Sequence, residues 1–213
     1  MDTLGLREPR QSRSQQTLER ILDSGTALIA EQSYDEVTVA EIAGRARISV
    51  GGFYSRFKNK EALFSTLQRR LAQETRAALT AALAKDWRAT NLYDLLFFVV
   101  SRNAELYEKY RGVLTVVHLR THTSRSPGDD AARSAYNQHI VTRLETLLLL
   151  KREQMLHRQP RVAIRTAIAC MASMLKDAIV FGETGLYPEP RDTQTIARRV
   201  AQVMYRYLAA EVP

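Results

Sequence analysis

The chain has 213 residues, of which 45% are hydrophobic and 25% charged, the composition of a globular protein with one or two domains. It has no run of about 18 apolar residues and no apolar signal core at its N-terminus, so we expect neither a membrane span nor export. The single cysteine, Cys170, excludes an internal disulfide and suits a reducing cytoplasm, while the formal net charge of +8 favours a polyanionic partner.

The first predicted helix begins at Ser12 or Ser14 and continues to about Gln32. Apolar residues between Leu18 and Ile29 recur at helical spacing and form one stripe along it. The residues before it, 1–13, carry three arginines among polar side chains. This segment is either a frayed tail or a basic arm that reaches the DNA minor groove.

Two short helices joined by a tight turn are predicted next. Thr38 and Glu41 have the spacing of a capping box at the start of the first of them. Ser49 suits the N-cap of the second, and Ile48 and Phe53 flank that cap in the positions of a hydrophobic staple. Helices this short need a third helix to cover their apolar sides. The pattern predicts a helix-turn-helix, whose second helix enters the DNA major groove.

The sequence ISVGGFYSRFKNKEALF, residues 48–64, resembles the signature of the TetR family of bacterial transcription regulators. The matching residues are Ser49, Gly51, Tyr54, Phe57, Lys60, Glu61 and Leu63, with Thr38 and Ala43 upstream. The resemblance covers residues 14–64. It implies an all-α homodimer that binds a pseudo-palindromic double-stranded DNA operator, most often as a repressor that a small-molecule effector releases.

The resemblance also places Ser49, Tyr54 and Lys58 on DNA phosphates. The full set of predicted DNA-contacting residues is Thr38, Arg47, Ser49, Val50, Gly51, Gly52, Tyr54, Ser55, Lys58 and Lys60.

The chain departs from the common family residues at three of these positions. Val50 and Gly52 stand where polar side chains are frequent, and neither can hydrogen-bond a base edge, although Val50 is able to contact a thymine methyl group. Arg47 stands at a turn position where the family usually has glycine. A left-handed backbone there would cost arginine about 1 kcal/mol, which a phosphate or guanine contact would offset. The alternative is that Arg47 is a solvated turn residue.

The remaining chain is predicted to be helical, with no competing β pattern. The fourth helix begins at Asn59 and runs past Ala82, long enough to link two domains mechanically. Further helices are predicted over residues 91–109, 112–122, 129–157, 161–183 and 193–210, about nine in all. We therefore expect an all-α protein with a DNA-binding domain at residues 1–58 and a ligand-binding and dimerisation domain at residues 59–213.

A ligand cavity is predicted where the fifth to eighth helices meet. Its candidate lining residues, each of which could instead be ordinary core, are Phe97, Phe98, Asn103, His118, Tyr136, Arg143, Met171 and Met174. The resemblance implies that the last two helices form a four-helix bundle with their symmetry mates. The apolar stripes that would make this interface contain Ile164, Ile168, Met171, Leu175, Ile196, Val200, Val203 and Tyr207.

The chain carries none of the nucleotide-binding, hydrolase or zinc-protease motifs, so we predict neither an enzyme nor a cofactor or metal. The favoured function is that of a ligand-responsive repressor in the cytoplasm. Two alternatives stay open: a regulator controlled by a protein partner, and a helical small-molecule-binding protein or enzyme that has lost operator binding. The sequence does not indicate which effector, operator or genes are involved.

Overall fold

The computed structural model describes residues 10–123, 127–182 and 192–210, without the side chains of residues 10–12, 121–123, 127–130 and 132. The α-helices are α1 (Arg10–Glu31), α2 (Val39–Arg45), α3 (Val50–Tyr54), α4 (Lys60–Ala84), α5 (Leu92–Lys109), α6 (Arg111–Thr123), α7 (Pro127–Leu148), α8 (Pro160–Leu175) and α9 (Thr193–Ala209). The described ranges contain no strand, so the predicted all-α fold is confirmed for them. None of the helices described is long and apolar enough to cross a membrane.

Two of the later helices end earlier than predicted. Helix α7 gives way to a 3₁₀ segment at Leu149–Gln154, where Lys151 has φ −115° and ψ 28° and cannot continue an α-helix. Helix α8 is followed by a π-helical segment at Lys176–Val180. Residues 1–9 and residues 183–191, which lie between the last two predicted helices, are outside the described residues.

The chain divides into two compact units, the first of which ends at Arg70. Its core joins α1, α2, α3 and the start of α4 through the buried side chains of Ile21, Ile42, Phe53, Leu63, Phe64 and Leu67. A Cβ atom on Gly25 would lie 3.1 Å from Leu63, so glycine allows α1 and α4 to approach closely. The unit extends beyond the predicted boundary at residue 58, because Leu63 completes its core and Arg70 pairs with Asp23 at 2.7 Å.

In the second unit, α5, α8 and α9 pack on one another around the larger core. Six residues assigned to the dimer interface are buried inside this single chain: Ile164, Ile168, Met171, Leu175, Ile196 and Val200. They cannot form an exposed seam, because the apolar stripes of α8 and α9 cover each other and α5. Of the predicted interface, Val203 is 48% exposed and Tyr207 is partly buried. The six buried residues are therefore not available to a second chain.

Helices α7 and α8 are also tied by Glu145, whose side chain is 3% exposed. Its carboxylate accepts a hydrogen bond from Arg161 and another, at 2.5 Å, from Arg165. The hydrogen bond from Arg165 is the main cause that lowers the pKa of Glu145. Glu145 therefore joins the end of α7 to the start of α8.

Candidate nucleic-acid interface

The start of α2 is fixed by Thr38 and Glu41. The Glu41 backbone N–H donates to the Thr38 hydroxyl oxygen at 3.2 Å, and the Thr38 N–H donates to the Glu41 carboxylate at 2.7 Å. The predicted capping box is therefore confirmed. The Thr38 hydroxyl also donates to this carboxylate, at 2.7 Å, and this bond is the largest cause that lowers the pKa of Glu41. A phosphate contact donated by Thr38 would require its hydrogen to leave Glu41.

The turn between α2 and α3 holds Arg47 in the left-handed region, at φ 56°. The Ile48 N–H donates to the Ala43 carbonyl at 3.0 Å, and the Arg47 N–H donates to the Gly44 carbonyl at 3.1 Å. These are the two hydrogen bonds of a Schellman motif, whose left-handed residue is usually glycine. The chain thus places an exposed arginine where the backbone disfavours one by about 1 kcal/mol.

Helix α3 is held by its cap and by its aromatic inner face. The Gly52 N–H donates to the Ser49 hydroxyl oxygen at 3.0 Å, which leaves the hydroxyl hydrogen for another acceptor. Phe53 is fully buried and packs on Phe57, with ring centroids 5.4 Å apart. Because Phe53 and Phe57 fix the rotation of this short helix, the opposite side chains point outward.

The outward face of α3 carries Val50 and Tyr54, which are 44% and 54% exposed. A Cβ atom on Gly51 would meet only the cap hydroxyl, at 3.9 Å, so packing within the chain does not require glycine there. The exposed Ser55 donates its hydroxyl to the carbonyl of residue 52 at 2.9 Å. This face has few free polar side chains, which suits phosphate and methyl contacts better than many base-specific hydrogen bonds.

Lys60 does not belong to the exposed surface. Its ammonium donates to the carbonyls of Tyr34 at 2.7 Å, Val37 at 2.8 Å and Asp35 at 3.3 Å. It also lies 4.4 Å from the centroid of the Tyr34 ring. With three acceptors for its three hydrogens, Lys60 holds the loop before α2 against the start of α4. The structure therefore contradicts the predicted DNA contact of Lys60.

The other cations around α2 and α3 differ in their engagement within the chain. Arg45 pairs with Glu31 at 2.5 Å, and Arg56 donates to a carbonyl of α3 at 3.2 Å. Arg47 and Lys58 are exposed and have no such contact among the described residues. Of these four cations, Arg47 and Lys58 are the two whose side chains are not engaged by described residues.

Comparisons with known proteins find relatives for the part of the chain that contains α2 and α3. The model of the family described as bacterial regulatory proteins, tetR family, matches residues 21–67. The Transposon Tn10 TetC protein of Escherichia coli is 36% identical over 56 residues, which is 26% of this chain and 28% of that protein. Residues 21–67 are therefore similar to the TetR family. The match to this relative spans little more than a quarter of its length, and the family match lies within the first unit of the fold.

Solved structures of bacterial regulators share the fold over most of this chain. A transcriptional regulator from Rhodococcus sp. Rha1 has a TM-score of 0.63 and 22% identity, covering 92% of this chain and 99% of that one. A regulator of the TerR/AcrR family from Aquifex aeolicus VF5 has a TM-score of 0.59 and 18% identity, covering 88% and 96%. At these identities the likeness establishes the all-α fold.

The second unit contains a cavity of about 420 Å³ between α4, α5, α6, α7 and α8. Asn103, Tyr136 and Met171 line it, as the sequence predicted. Arg165 and Lys176 also line it, and the sequence analysis missed both. Lys176 follows a long apolar helix, and no local pattern signals that the π-helical segment begins at this residue.

The other predicted pocket residues, Phe97, Phe98, His118, Arg143 and Met174, do not line this cavity. Phe97 and Phe98 pack on other aromatic side chains, and Phe98 lines only a neighbouring void of about 20 Å³. His118 faces Phe181, with ring centroids 5.0 Å apart, and Arg143 donates to a threonine of α4 at 3.2 Å. Met174 is partly buried against the core. Helical spacing placed these residues near the cavity but not on the face that lines it.

Proposed function

We propose that this chain is a transcriptional regulator of the TetR family that binds a pseudo-palindromic operator as a homodimer and is released from it by a small molecule. The observation that carries the proposal is the outward face of the helix-turn-helix. There Val50, Tyr54 and Lys58 are exposed, while Phe53 and Phe57 fix the orientation of α3 from inside.

On the DNA side, Ser49, Tyr54 and Lys58 contact phosphates and set the position of α3 in the major groove. Val50 contacts a thymine methyl group, and the absence of a side chain at Gly51 lets the backbone approach the bases. Two such surfaces in a dimer meet half-sites about one helical turn, roughly 34 Å, apart.

The homodimer forms through the outward side of α8 and α9. Val162 and Val203 are 55% and 48% exposed there, and the exposed Thr166 and Cys170 on α8 are uncharged. Exposed apolar residues beside small uncharged ones are typical of a surface that another chain covers.

Release by a small molecule requires that the ligand bind the DNA-free conformation more tightly than the DNA-bound one. Operator DNA must then weaken ligand binding by the same factor, typically about 5- to 150-fold. The cavity of about 420 Å³ supports this part of the proposal because it is large enough for such a ligand.

The direct test is binding to DNA from upstream of the chain's own gene, measured by fluorescence anisotropy against random DNA of equal length. Tyr54→Ala and Lys58→Ala should weaken binding to both. Lys58→Ala should also reduce the slope of log affinity against log salt by about one for each contacting chain. Arg158→Ala, which removes an exposed cation of the second unit, is the matched control and should leave the slope unchanged.

Two results would contradict these assignments. Equal affinity for the upstream and the random DNA would show that the upstream DNA contains no operator for this protein. A salt slope that Lys58→Ala leaves unchanged would show that Lys58 does not contact a phosphate.

A further inference from the structure

The cavity of the second unit is apolar along most of its wall and carries charge of one sign. Ile140, Leu144 and Ile168 belong to the apolar wall. The charged residues that line it are Arg165 and Lys176, and no Asp or Glu is among the lining residues that the structure describes. A site of this kind favours a ligand with a hydrophobic body and a negative group.

The two cations differ in what they already bind. Arg165 donates to Glu145 at 2.5 Å, and Arg161 shares the same carboxylate. Lys176 makes no ion pair with any residue that the structure describes, and it is partly buried. Lys176 is therefore the lining cation that no carboxylate of the described residues engages.

Helix geometry places hydrogen-bond donors at the same end of the cavity as Lys176. Lys176 lies eleven residues beyond Arg165, about 16 Å along its helix, and Tyr136 lies nine residues before Glu145, about 13 Å along α7. Both helices line the cavity as they lead away from the Glu145–Arg165 contact, so we place Tyr136 and Lys176 together toward its far end. The guanidinium of Arg76 is 5.8 Å from the centroid of the Tyr136 ring and adds a second cation there.

Tyr107 adds a neutral donor near Tyr136. Its hydroxyl donates no hydrogen bond to the residues described, and it lines the cavity. Burial raises the pKa of Tyr107, and the neighbouring Tyr136 adds to this effect, so the hydroxyl keeps its proton. Asn103, farther in, uses its amide to donate to the Val99 carbonyl at 2.8 Å and directs no charge into the cavity.

We propose that this cavity binds an amphipathic carboxylate, with its head among Tyr107, Tyr136 and Lys176 and its apolar part along Ile140, Leu144 and Ile168. The proposal rests on the proposed function, since it names the class of the small molecule that would act on the regulator. At about 30 Å³ for each water-sized group, the cavity of 420 Å³ has room for roughly 14 such groups. Dodecanoate has this number of non-hydrogen atoms and is the probe of choice.

The experiment is calorimetric titration of the full chain, without DNA, using three probes that share a twelve-carbon chain. Dodecanoate carries the negative head, methyl dodecanoate a neutral one and dodecylamine a positive one. Dodecanoate should bind once per chain, and the ester and the amine should each bind at least tenfold more weakly, because each loses the charge-assisted hydrogen bonds to Lys176.

The variants separate recognition of the head from a structural effect. Lys176→Met keeps the length of the side chain, so it should weaken dodecanoate about tenfold and leave the ester unchanged. Tyr107→Phe should weaken dodecanoate by a smaller factor, again without affecting the ester. Arg158→Met removes a distant exposed cation and should change neither probe.

Equal affinity for dodecanoate and its ester, preference for the amine, or equal losses for both probes in Lys176→Met would each overturn the assignment. Absence of binding by all three probes would overturn it as well. Because the titration uses DNA-free protein, it is independent of operator binding. If the protein binds dodecanoate but not the operator, the result supports this inference and contradicts the proposed function.

Discussion

Replacing Arg47 with glycine separates what this residue does for the fold from what it does for DNA. The left-handed backbone costs a residue with a Cβ atom about 1 kcal/mol or more, and glycine removes that cost. Glycine also gives the unfolded chain more conformational freedom, which lowers the free energy of unfolding by about 0.5 to 1 kcal/mol. Since the Arg47 side chain is exposed, little packing is lost. The free energy of unfolding should therefore stay the same or rise by up to about 1 kcal/mol.

Operator binding, by contrast, should weaken in Arg47→Gly. A lost phosphate contact weakens all DNA sequences alike and reduces the salt slope by about 0.9 for each contacting chain. A lost bidentate guanine contact costs about 1 to 3 kcal/mol, or roughly 5- to 150-fold, and relaxes the preference at one base pair. Arg47→Lys separates the two cases, because lysine keeps the charge but cannot form the bidentate pair.

The two quantities are measured by urea unfolding and by fluorescence anisotropy at several salt concentrations. A variant that is no less stable and binds operator more weakly supports the role of Arg47 as a DNA contact that the fold accommodates at a cost. Unchanged affinity with an unchanged salt slope would refute this reasoning and leave Arg47 as a solvated turn residue. A clear loss of stability would instead refute the assigned strain.

Lys60→Met should lower the free energy of unfolding by about 1 to 3 kcal/mol, because three carbonyls lose a charged donor. The control Lys58→Met, at an exposed lysine, should change it by less than about 0.5 kcal/mol. Urea unfolding of both variants measures the difference. Ile168→Arg should unfold the second unit because it buries a charge, whereas Val203→Arg should keep its helicity and sediment as a monomer. A Val203→Arg variant that remains dimeric would place the interface elsewhere. Because the folded-state pKa of Glu145 is lowered, its contribution to stability is present above the ordinary pKa of glutamate and is lost as the pH falls through the lowered value. Glu145→Gln should therefore make acid destabilisation shallower in urea unfolding across that range, and an unchanged acid dependence would count against it.

The helix-turn-helix could be predicted from sequence because its determinants lie within a few residues of one another. The capping box joins Thr38 to Glu41, and the cap and staple of α3 lie between Ile48 and Phe53. Lys60 could not be assigned in this way, because its three acceptors lie 23 to 26 residues earlier in the chain. A lysine in a signature is equally compatible with a phosphate and with backbone carbonyls, and only the fold distinguishes them.

The apolar stripes of α8 and α9 illustrate a second limit of sequence reasoning. Their spacing predicted that Ile168 and Val200 would be covered, and both are buried. The periodicity does not distinguish cover by the same chain from cover by a second copy. Val203 belonged to the same predicted stripe, yet it lies at the edge of the buried face and remains 48% exposed.

Helix α8 would offer a short physical route from a ligand in the proposed site to the proposed dimer interface. Ile168 and Met171 on one side of it line the cavity, whereas Thr166 and Cys170 on the other side are exposed on the proposed interface. Side chains on two sides of a single helix move together when the helix shifts, because its backbone hydrogen bonds hold it as a rigid element. An occupant that displaces Ile168 by a fraction of an ångström therefore displaces Thr166 as well. Coupling between ligand binding and dimer geometry then requires only this one helix. Substitutions elsewhere in the second unit should affect the coupling mainly through stability.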